Sequence, residues 1–210
     1  DLRGSIIAPK GKKLVVADLS NIEGRKLAWL VGEEWKLKAF RAFDNGTGHD
    51  LYALAYAKAF GVSPEAVMYN KEFGDGSWRQ IGKVMELALG YEGGVGAFIT
   101  FAAAYGIDLE AMAAQAASSI PKQVWGEARG MLEWTKKKRR STFGLSDQAW
   151  LVCESFKRLW RQAHPETVAF WKEIDETVRR AIGTPGVTLT CRRLRVRRDG
   201  SWLRVVLPSG

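Results

Sequence analysis

Helical spacing of apolar residues dominates this chain and restricts its fold more than any other feature. Between residues 20 and 182, apolar side chains recur at three- and four-residue intervals, with serine, glycine and proline at the breaks. The segments with this pattern are 20–32, 50–61, 63–73, 78–91, 97–118 and 146–182. From Val187 the pattern changes to two runs around an Asp-Gly turn, which is typical of a β-hairpin. We therefore predict an α+β protein that is predominantly helical.

A short apolar run, Leu14 to Ala17, precedes Asp18 and predicts a buried strand that ends at this aspartate. Ser20 and Glu23 have the spacing of a capping box, and Gly32 is placed to end the helix that follows. A carboxylate at the end of a rigid strand is well placed to bind a metal ion. Asp18 is explained equally well as a turn residue that accepts hydrogen bonds from nearby backbone amides. A glutamate in the position of Glu23 is more often a capping residue than a catalytic one, although both roles stay open.

The helix predicted over 78–91 has two distinct sets of side chains. The core stripe consists of Ile81, Val84, Met85 and Ala88. A second row, at four-residue spacing on another face, consists of Arg79, Lys83, Leu87 and Tyr91. Gly82 and Gly90 lie beside this row and suggest that another group approaches the helix closely. The row suits a nucleoside triphosphate, with cations for the phosphates and an aromatic ring for the base, although an ordinary solvated face has the same pattern.

Positive charge is concentrated in the last third of the chain. Residues 136–210 hold 17 Lys and Arg against 7 Asp and Glu, whereas residues 1–135 hold 15 against 16. A polyanion is therefore expected to contact this part of the protein, with a solvated basic surface as the alternative. The densest group is the run Lys136, Lys137, Lys138, Arg139 and Arg140, which we expect to contact that polyanion.

Other classes of site receive little support from the sequence. Cys153 and Cys191 form no CxxC pair, and His49 and His164 are far apart, so reduced cysteines and no zinc site are expected. The chain has no apolar run of 18 residues and no signal-peptide layout at its start, so no membrane association is expected.

Two segments together resemble the family A DNA polymerases, the DNA polymerase I family. Residues 18–25, DLSNIEGR, are similar to that family's motif A, commonly written DYSQIELR. Residues 79–94, RQIGKVMELALGYEGG, are similar to motif B, R-x3-K-x7-YG, and the GYEGG form is similar to bacteriophage or prophage members. Both motifs stand in the family's order, and the helical pair over 146–182 resembles the two helices that follow motif B.

The resemblance implies a role for each matching residue. Asp18 and the carbonyl of Leu19 would bind two catalytic Mg²⁺ ions, and Arg79 and Lys83 would hold the incoming dNTP by its triphosphate. Asp18, Arg79 and Lys83 would thus be the catalytic residues. Nucleotide-binding residues would be Glu23, Arg79, Lys83, Leu87 and Tyr91, with Glu23 excluding a ribose 2′-OH and Tyr91 at the nascent base pair. The reaction would be attack of a primer 3′-OH on the α-phosphate, directed by a DNA template.

The same resemblance implies a domain layout. Residues 1–45 would be a palm segment with motif A, 46–182 the fingers, and 183–210 a β-hairpin that returns to the palm. Within the fingers, 78–91 would be the motif B helix and 97–145 an insertion without assigned roles. The expected partners are a DNA primer–template and dNTP, and the basic run of Lys136, Lys137, Lys138, Arg139 and Arg140 would bind the DNA. The expected location is the cytoplasm of a bacterial host, and the oligomeric state is not predicted.

Departures from the family pattern limit these expectations. Leu19 replaces the usual tyrosine, Leu87 replaces an aromatic residue, and motif C, which supplies the second metal-binding carboxylate, is absent. We therefore expect a polymerase fragment that does not polymerise by itself. The alternatives are a non-catalytic nucleic-acid-binding module with the same fold, a helical protein-interaction domain, or a relative that synthesises RNA.

Overall fold

Helices follow one another from Ile22 to Gly183, and a small sheet comes after them. The computed structural model describes residues 5–210. The α-helices are α1 (Ile22–Val31), α2 (Glu34–Asp44), α3 (Leu51–Phe60), α4 (Pro64–Phe73), α5 (Ser77–Leu89), α6 (Val95–Ala104), α7 (Leu109–Ala116), α8 (Lys122–Lys137), α9 (Asp147–Ala163) and α10 (Pro165–Gly183). The strands are β1 (Thr188–Cys191), β2 (Leu194–Asp199) and β3 (Trp202–Val206). This mostly helical α+β architecture confirms the predicted fold class.

Several helix boundaries follow from local capping chemistry. Ser63 Oγ accepts a hydrogen bond from the first turn of α4, and Ser146 Oγ does the same for α9. Gly61 and Gly32 end α3 and α1 with φ angles of 66° and 74°, a left-handed conformation that suits glycine. These predicted helix boundaries are confirmed, as is the break between α9 and α10 at His164.

Helices α3, α5 and α9 form the centre of the main core. The predicted stripe of α5 is buried there, with Val84 and Met85 fully enclosed. Phe156 and Trp160 of α9 are also fully buried against this stripe. Each side chain of this size contributes about 1.5–3 kcal/mol by leaving water, so the position of α5 is fixed mainly by apolar packing.

The segment predicted to be an insertion, 97–145, is part of the same core. Met112 of α7 and Leu132 of α8 are buried in the main cluster, and both helices pack along α9. That these residues are an insertion relative to other proteins stays a prediction, but their helices are integral to the fold.

The C-terminal sheet has three antiparallel strands in the order β1-β2-β3. The predicted hairpin is present as β2 and β3, but a turn with Arg192 in the left-handed region (φ 50°) divides its first run into β1 and β2, which adds a third strand. The Asp-Gly turn between β2 and β3 is confirmed, with Asp199 opposite Trp202. Cys191 and Leu194 bury the inner face of the sheet against Val31 and Phe170.

The strand predicted before Asp18 is absent, which corrects the sequence analysis. Residues 12–19 have no regular structure, and Val15 and Val16 are 83% and 89% exposed. A strand needs a neighbour for its backbone hydrogen bonds, and the three strands in the described residues pair only with one another. The capping box is also wrong, because α1 begins after Asn21, which has a left-handed conformation and no side-chain cap bond.

Within residues 5–210, no single helix is both long and apolar enough to cross a membrane. Helix α6 and the segment Leu109–Ser119 pass that test only as a pair, and they are bent by 113° at their junction.

Candidate functional site

The start of α1 and the end of α5 enclose a cavity of about 260 Å³. Five residues predicted from the sequence line it, and they are Asp18, Leu19, Glu23, Leu87 and Tyr91. The remaining lining comes from Asn21, Ile22, Gly24, Leu27, Lys36, Tyr52, Glu86 and Gly90. Two segments that are about 60 residues apart in the sequence therefore form one site.

Asp18 lies at the mouth of this cavity on the exposed segment before α1. Hydrogen bonds of Arg25 help to hold that segment, because its Nε donates to the Ser20 carbonyl at 3.0 Å and its guanidinium forms a bidentate pair with Asp44 at 2.7 Å. Asp18 thus lies two residues before a point that is anchored to α1, and not at the end of a strand.

Glu23 and Tyr91 meet across the cavity. Glu23 is exposed in the first turn of α1, and Tyr91 follows the end of α5. Partial burial, and then the neighbouring Glu23 carboxylate, raise the pKa of the Tyr91 phenol. The phenol therefore stays protonated at neutral pH and can donate a hydrogen bond toward Glu23.

Arg79 and Lys83 do not line the cavity. They stand on α5 two turns and one turn before Leu87, or about 12 Å and about 6 Å along the helix axis. Arg79 Nε donates to Asp50 Oδ2 at 2.9 Å, and its guanidinium lies 5.3 Å from the centroid of the Tyr52 ring. Lys83 Nζ lies 4.2 Å from the centroid of the Tyr105 ring. Both cations therefore lie outside the cavity, on the same row of α5 as the lining residues Leu87 and Tyr91.

The close approach that was inferred from Gly82 has a structural explanation. A Cβ atom at Gly82 would lie 2.1 Å from the Tyr52 carbonyl oxygen of α3. Gly82 is buried, so the group that comes close is the backbone of a packed helix and not a ligand. Gly90 differs, because it lines the cavity.

A buried polar cluster under the cavity was missed by sequence reasoning. Lys36 Nζ of α2 donates to Glu86 Oε2 of α5 at 2.5 Å, and both side chains are less than 5% exposed. Glu86 Oε1 also accepts from Trp160 Nε1 at 2.9 Å and lies 3.2 Å from Nε2 of His164. His164 stacks on Trp160 with ring centroids 3.9 Å apart. The cluster thus joins α2, α5 and the α9–α10 junction beneath the cavity.

Burial and the polar neighbours of Glu86 shift the pKa of its carboxyl in opposite directions. Burial by itself raises the pKa of the Glu86 carboxyl, because it disfavours the charged form. The charges and hydrogen bonds of Lys36 and His164 outweigh burial and hold the pKa of Glu86 well below its usual range. Glu86 is therefore an ionised carboxylate at neutral pH, and it anchors the half of α5 that faces the cavity. The sequence carries a weak signal for it, namely a glutamate next to the core stripe.

The basic run at the end of α8 lies on the surface, apart from the cavity. Lys136, Lys137, Lys138, Arg139 and Arg140 are all exposed. Lys136 pairs with Asp147 at 2.6 Å, and the Arg140 guanidinium lies 4.6 Å from the centroid of the Trp134 ring. Contact with DNA stays a prediction for these residues.

The donor set at the mouth of the cavity has the chemistry that Mg²⁺ requires but few groups to hold it. Asp18 and Leu19 offer a carboxylate and a backbone carbonyl, which are hard oxygen ligands. Among residues 5–210 no group of three or more His, Cys, Asp or Glu side chains is arranged to hold a metal ion. Magnesium in proteins is commonly bound by one or two carboxylates together with substrate phosphates, and the residues present fit that mode.

Comparisons with known proteins give one informative similarity. The chain is 40% identical over 102 residues to a DNA polymerase of Bacillus phage SP02. Those residues are 49% of this chain and 14% of the phage protein, so the chain matches about one seventh of that relative's length. No protein-family model and no solved structure matches the chain.

Proposed function

We propose that this chain is part of a phage-type DNA polymerase of family A and that the cavity holds the incoming deoxynucleotide. The observation that carries the proposal is the shared cavity, in which the motif A-like segment and the motif B-like helix α5 meet. Similarity to the DNA polymerase of Bacillus phage SP02 supports the same assignment. A concave site with a mostly apolar lining and a few polar groups is the usual form of a small-molecule site.

The arrangement along α5 suggests how the nucleotide is oriented. Leu87 and Tyr91 offer an apolar and aromatic lining for sugar and base, while Lys83 and Arg79 follow along the same row. A triphosphate that leaves the cavity along α5 meets Lys83 first and Arg79 next. Arg79 is held by Asp50, and a triphosphate of higher charge competes for its guanidinium.

Glu23 is proposed to discriminate between sugars. Its carboxylate faces Tyr91 across the cavity, so a ribose 2′-OH adjacent to this pair would collide with one of the two side chains. We therefore propose deoxynucleotides as the substrate class.

Asp18 and the Leu19 carbonyl are the residues that would hold Mg²⁺. The ion, when bound, neutralises charge that develops on the phosphates during transfer. Asp18 is the single carboxylate that the resemblance assigns to the metals. We therefore expect nucleotide binding, and not primer extension, from these residues by themselves.

A titration of the chain with a fluorescent dNTP in the presence of Mg²⁺ tests the proposal. We expect saturable binding that Lys83→Ala and Arg79→Ala each weaken by about tenfold, or about 1.4 kcal/mol, because each removes a charged phosphate contact. Lys71→Ala is the matched control, since Lys71 is an exposed lysine on α4, outside the cavity. Absence of saturable binding, or equal affinity in all variants, would refute the nucleotide site.

Two further measurements separate the alternatives. Glu23→Ala should reduce the preference for a dNTP over the matching NTP, while a helical interaction domain would show neither preference nor binding. Binding of DNA without binding of any nucleotide would instead identify a non-catalytic nucleic-acid-binding module.

A further inference from the structure

Six arginines lie between residues 188 and 206, and they form two groups on opposite sides of the sheet. Three of them hold the sheet against the helices. Arg192 forms ion pairs with Glu173 and Glu166 of α10 at 2.7 and 2.9 Å. Arg193 lies 4.4 Å from the centroid of the Trp29 ring, and Arg198 donates to the carbonyl of Ile182 at 2.8 Å. These three guanidinium groups are engaged in the structure itself.

The other three arginines are on the opposite, solvent-facing side of the sheet. Strand alternation buries Leu194 and Val196 of β2 and exposes Arg195 and Arg197. Arg204 of β3 lies directly opposite Arg197 in the antiparallel register. Residues two apart on one strand are separated by about 6.7 Å, so the three guanidinium groups form a compact cationic surface. We call this surface, with Trp202, the outer sheet face.

Acidic groups do not neutralise the outer sheet face. Asp199 pairs with Arg197 at 2.6 Å and lies 3.7 Å from Arg204, so one carboxylate serves two arginines. Among the described residues, no acidic side chain is within ion-pair distance of Arg195. The side chains of Arg197 and Arg204 are 46% and 64% exposed, and they border a shallow groove of about 400 Å³. A groove with three cations and one anion attracts a polyanion.

An aromatic side chain stands beside this groove. Trp202 is opposite Asp199 and two residues from Arg204 on β3, so strand alternation places it on the same face. Its side chain is 72% exposed, although burial of a ring of this size is strongly favourable. An exposed indole next to arginines matches the combination by which proteins bind unpaired bases and their phosphates.

We propose that the outer sheet face binds single-stranded DNA, with phosphates on Arg195, Arg197 and Arg204 and a base stacked on Trp202. Stacking on an indole requires an unpaired base, which is why a single strand fits this face better than a duplex. The inference deepens the proposed function, since a polymerase must hold an unpaired template. Its support is nevertheless separate, because no residue of the outer sheet face lines the nucleotide cavity.

Fluorescence anisotropy with a labelled oligo-dT tests the proposal on the full chain. Arg195→Ala/Arg197→Ala/Arg204→Ala should reduce the slope of log affinity against log salt by about 2, because each phosphate contact on a single strand contributes about 0.7. Trp202→Ala should weaken binding by about tenfold with the slope unchanged, since stacking is not ionic. The same strand in duplex form should bind wild type more weakly.

The matched control removes the same charge from another surface. Lys172→Ala/Arg179→Ala/Arg180→Ala takes three exposed cations from α10 and should leave oligo-dT affinity nearly unchanged. Circular dichroism and thermal melting of each variant establish that folding is retained. Arg-to-Lys replacement of the three sheet arginines should restore most of the salt slope, because lysine also neutralises phosphates.

Three results would overturn the inference. They are an equal loss of affinity in the control and sheet variants, an unchanged affinity in Trp202→Ala, or tighter binding of the duplex. Trp202→Ala could instead abolish a concentration-dependent self-association and leave the oligo-dT affinity unchanged. That result would assign the outer sheet face to contact with a second copy of the chain. If wild type binds oligo-dT but no dNTP, the proposed nucleotide site is refuted and the single-strand site is not.

Discussion

Replacing Lys36 by methionine would remove the cation from a buried ion pair and keep a side chain of similar length. Glu86 would remain buried, with Trp160 and His164 as polar neighbours but without its ammonium partner. Removal of one partner of a buried pair costs about 3–5 kcal/mol, because an uncompensated charge stays in a medium of low polarity. We expect the free energy of unfolding to fall by that amount.

The pair also predicts how a double variant behaves. Glu86→Gln keeps an oxygen that accepts from Trp160 Nε1 and removes the charge, so Lys36→Met/Glu86→Gln contains no buried ion of this pair. The double variant should therefore be at least as stable as either single variant. If the two residues contributed independently, the losses in the free energy of unfolding of the single variants would add in the double variant. That result would refute the ion-pair argument.

The measurement is urea unfolding followed by circular dichroism, with thermal melting as a second readout. For a protein of this size, 1 kcal/mol corresponds to about 2–4 °C, so Lys36→Met should lower the melting temperature by roughly 6–20 °C. Lys136→Met is the matched control, because its ion pair with Asp147 is exposed on both sides. It should change stability by less than about 0.5 kcal/mol. Equal losses in the two variants would show that burial of the Lys36–Glu86 pair does not matter.

Further predictions concern the pH response, helix packing and the sheet. Folding lowers the pKa of Glu86, so its stabilising contribution is complete above its unfolded pKa of about 4.3 and is lost as pH falls toward the folded value. Urea unfolding from pH 7 to 3 should therefore show a smaller decrease in the free energy of unfolding for Glu86→Gln than for wild type. Gly82→Ala should prevent native packing of α5, because its Cβ would clash with the Tyr52 carbonyl, whereas Gly130→Ala, in an open position of α8, should raise stability by up to about 1 kcal/mol; thermal melting compares the two. Arg192→Met should destabilise the sheet by about 2–4 kcal/mol, because two carboxylates and the Val31 carbonyl lose their donor, and faster hydrogen exchange confined to β1–β3 and α10 would identify the cause.

Local chemistry determined most of the helical framework in advance. Ser63, Gly61 and Ser146 mark boundaries because a cap bond or a left-handed turn depends on a few adjacent residues. The buried stripe of α5 was also predictable, since helical periodicity alone places those side chains on one face. The candidate residues Asp18, Glu23 and Tyr91 were singled out by local patterns and given roles by a resemblance of motifs, and their meeting at one cavity was not visible in either motif alone.

Long-range contacts determined what the sequence could not. The apolar run at Val15 and Val16 has the composition of a strand, but a strand forms only where a neighbour accepts its hydrogen bonds. Gly82 indicated a close approach, and only the packing of α3 on α5 identified the approaching group as a backbone carbonyl. Lys36 and Glu86 each resemble ordinary surface charges in the sequence. They become a buried pair at the cavity because α2 packs on α1 and α3 while α5 packs on α3 and α9, which brings the two side chains together. The energy of a charge depends on its surroundings and not on its position in the chain.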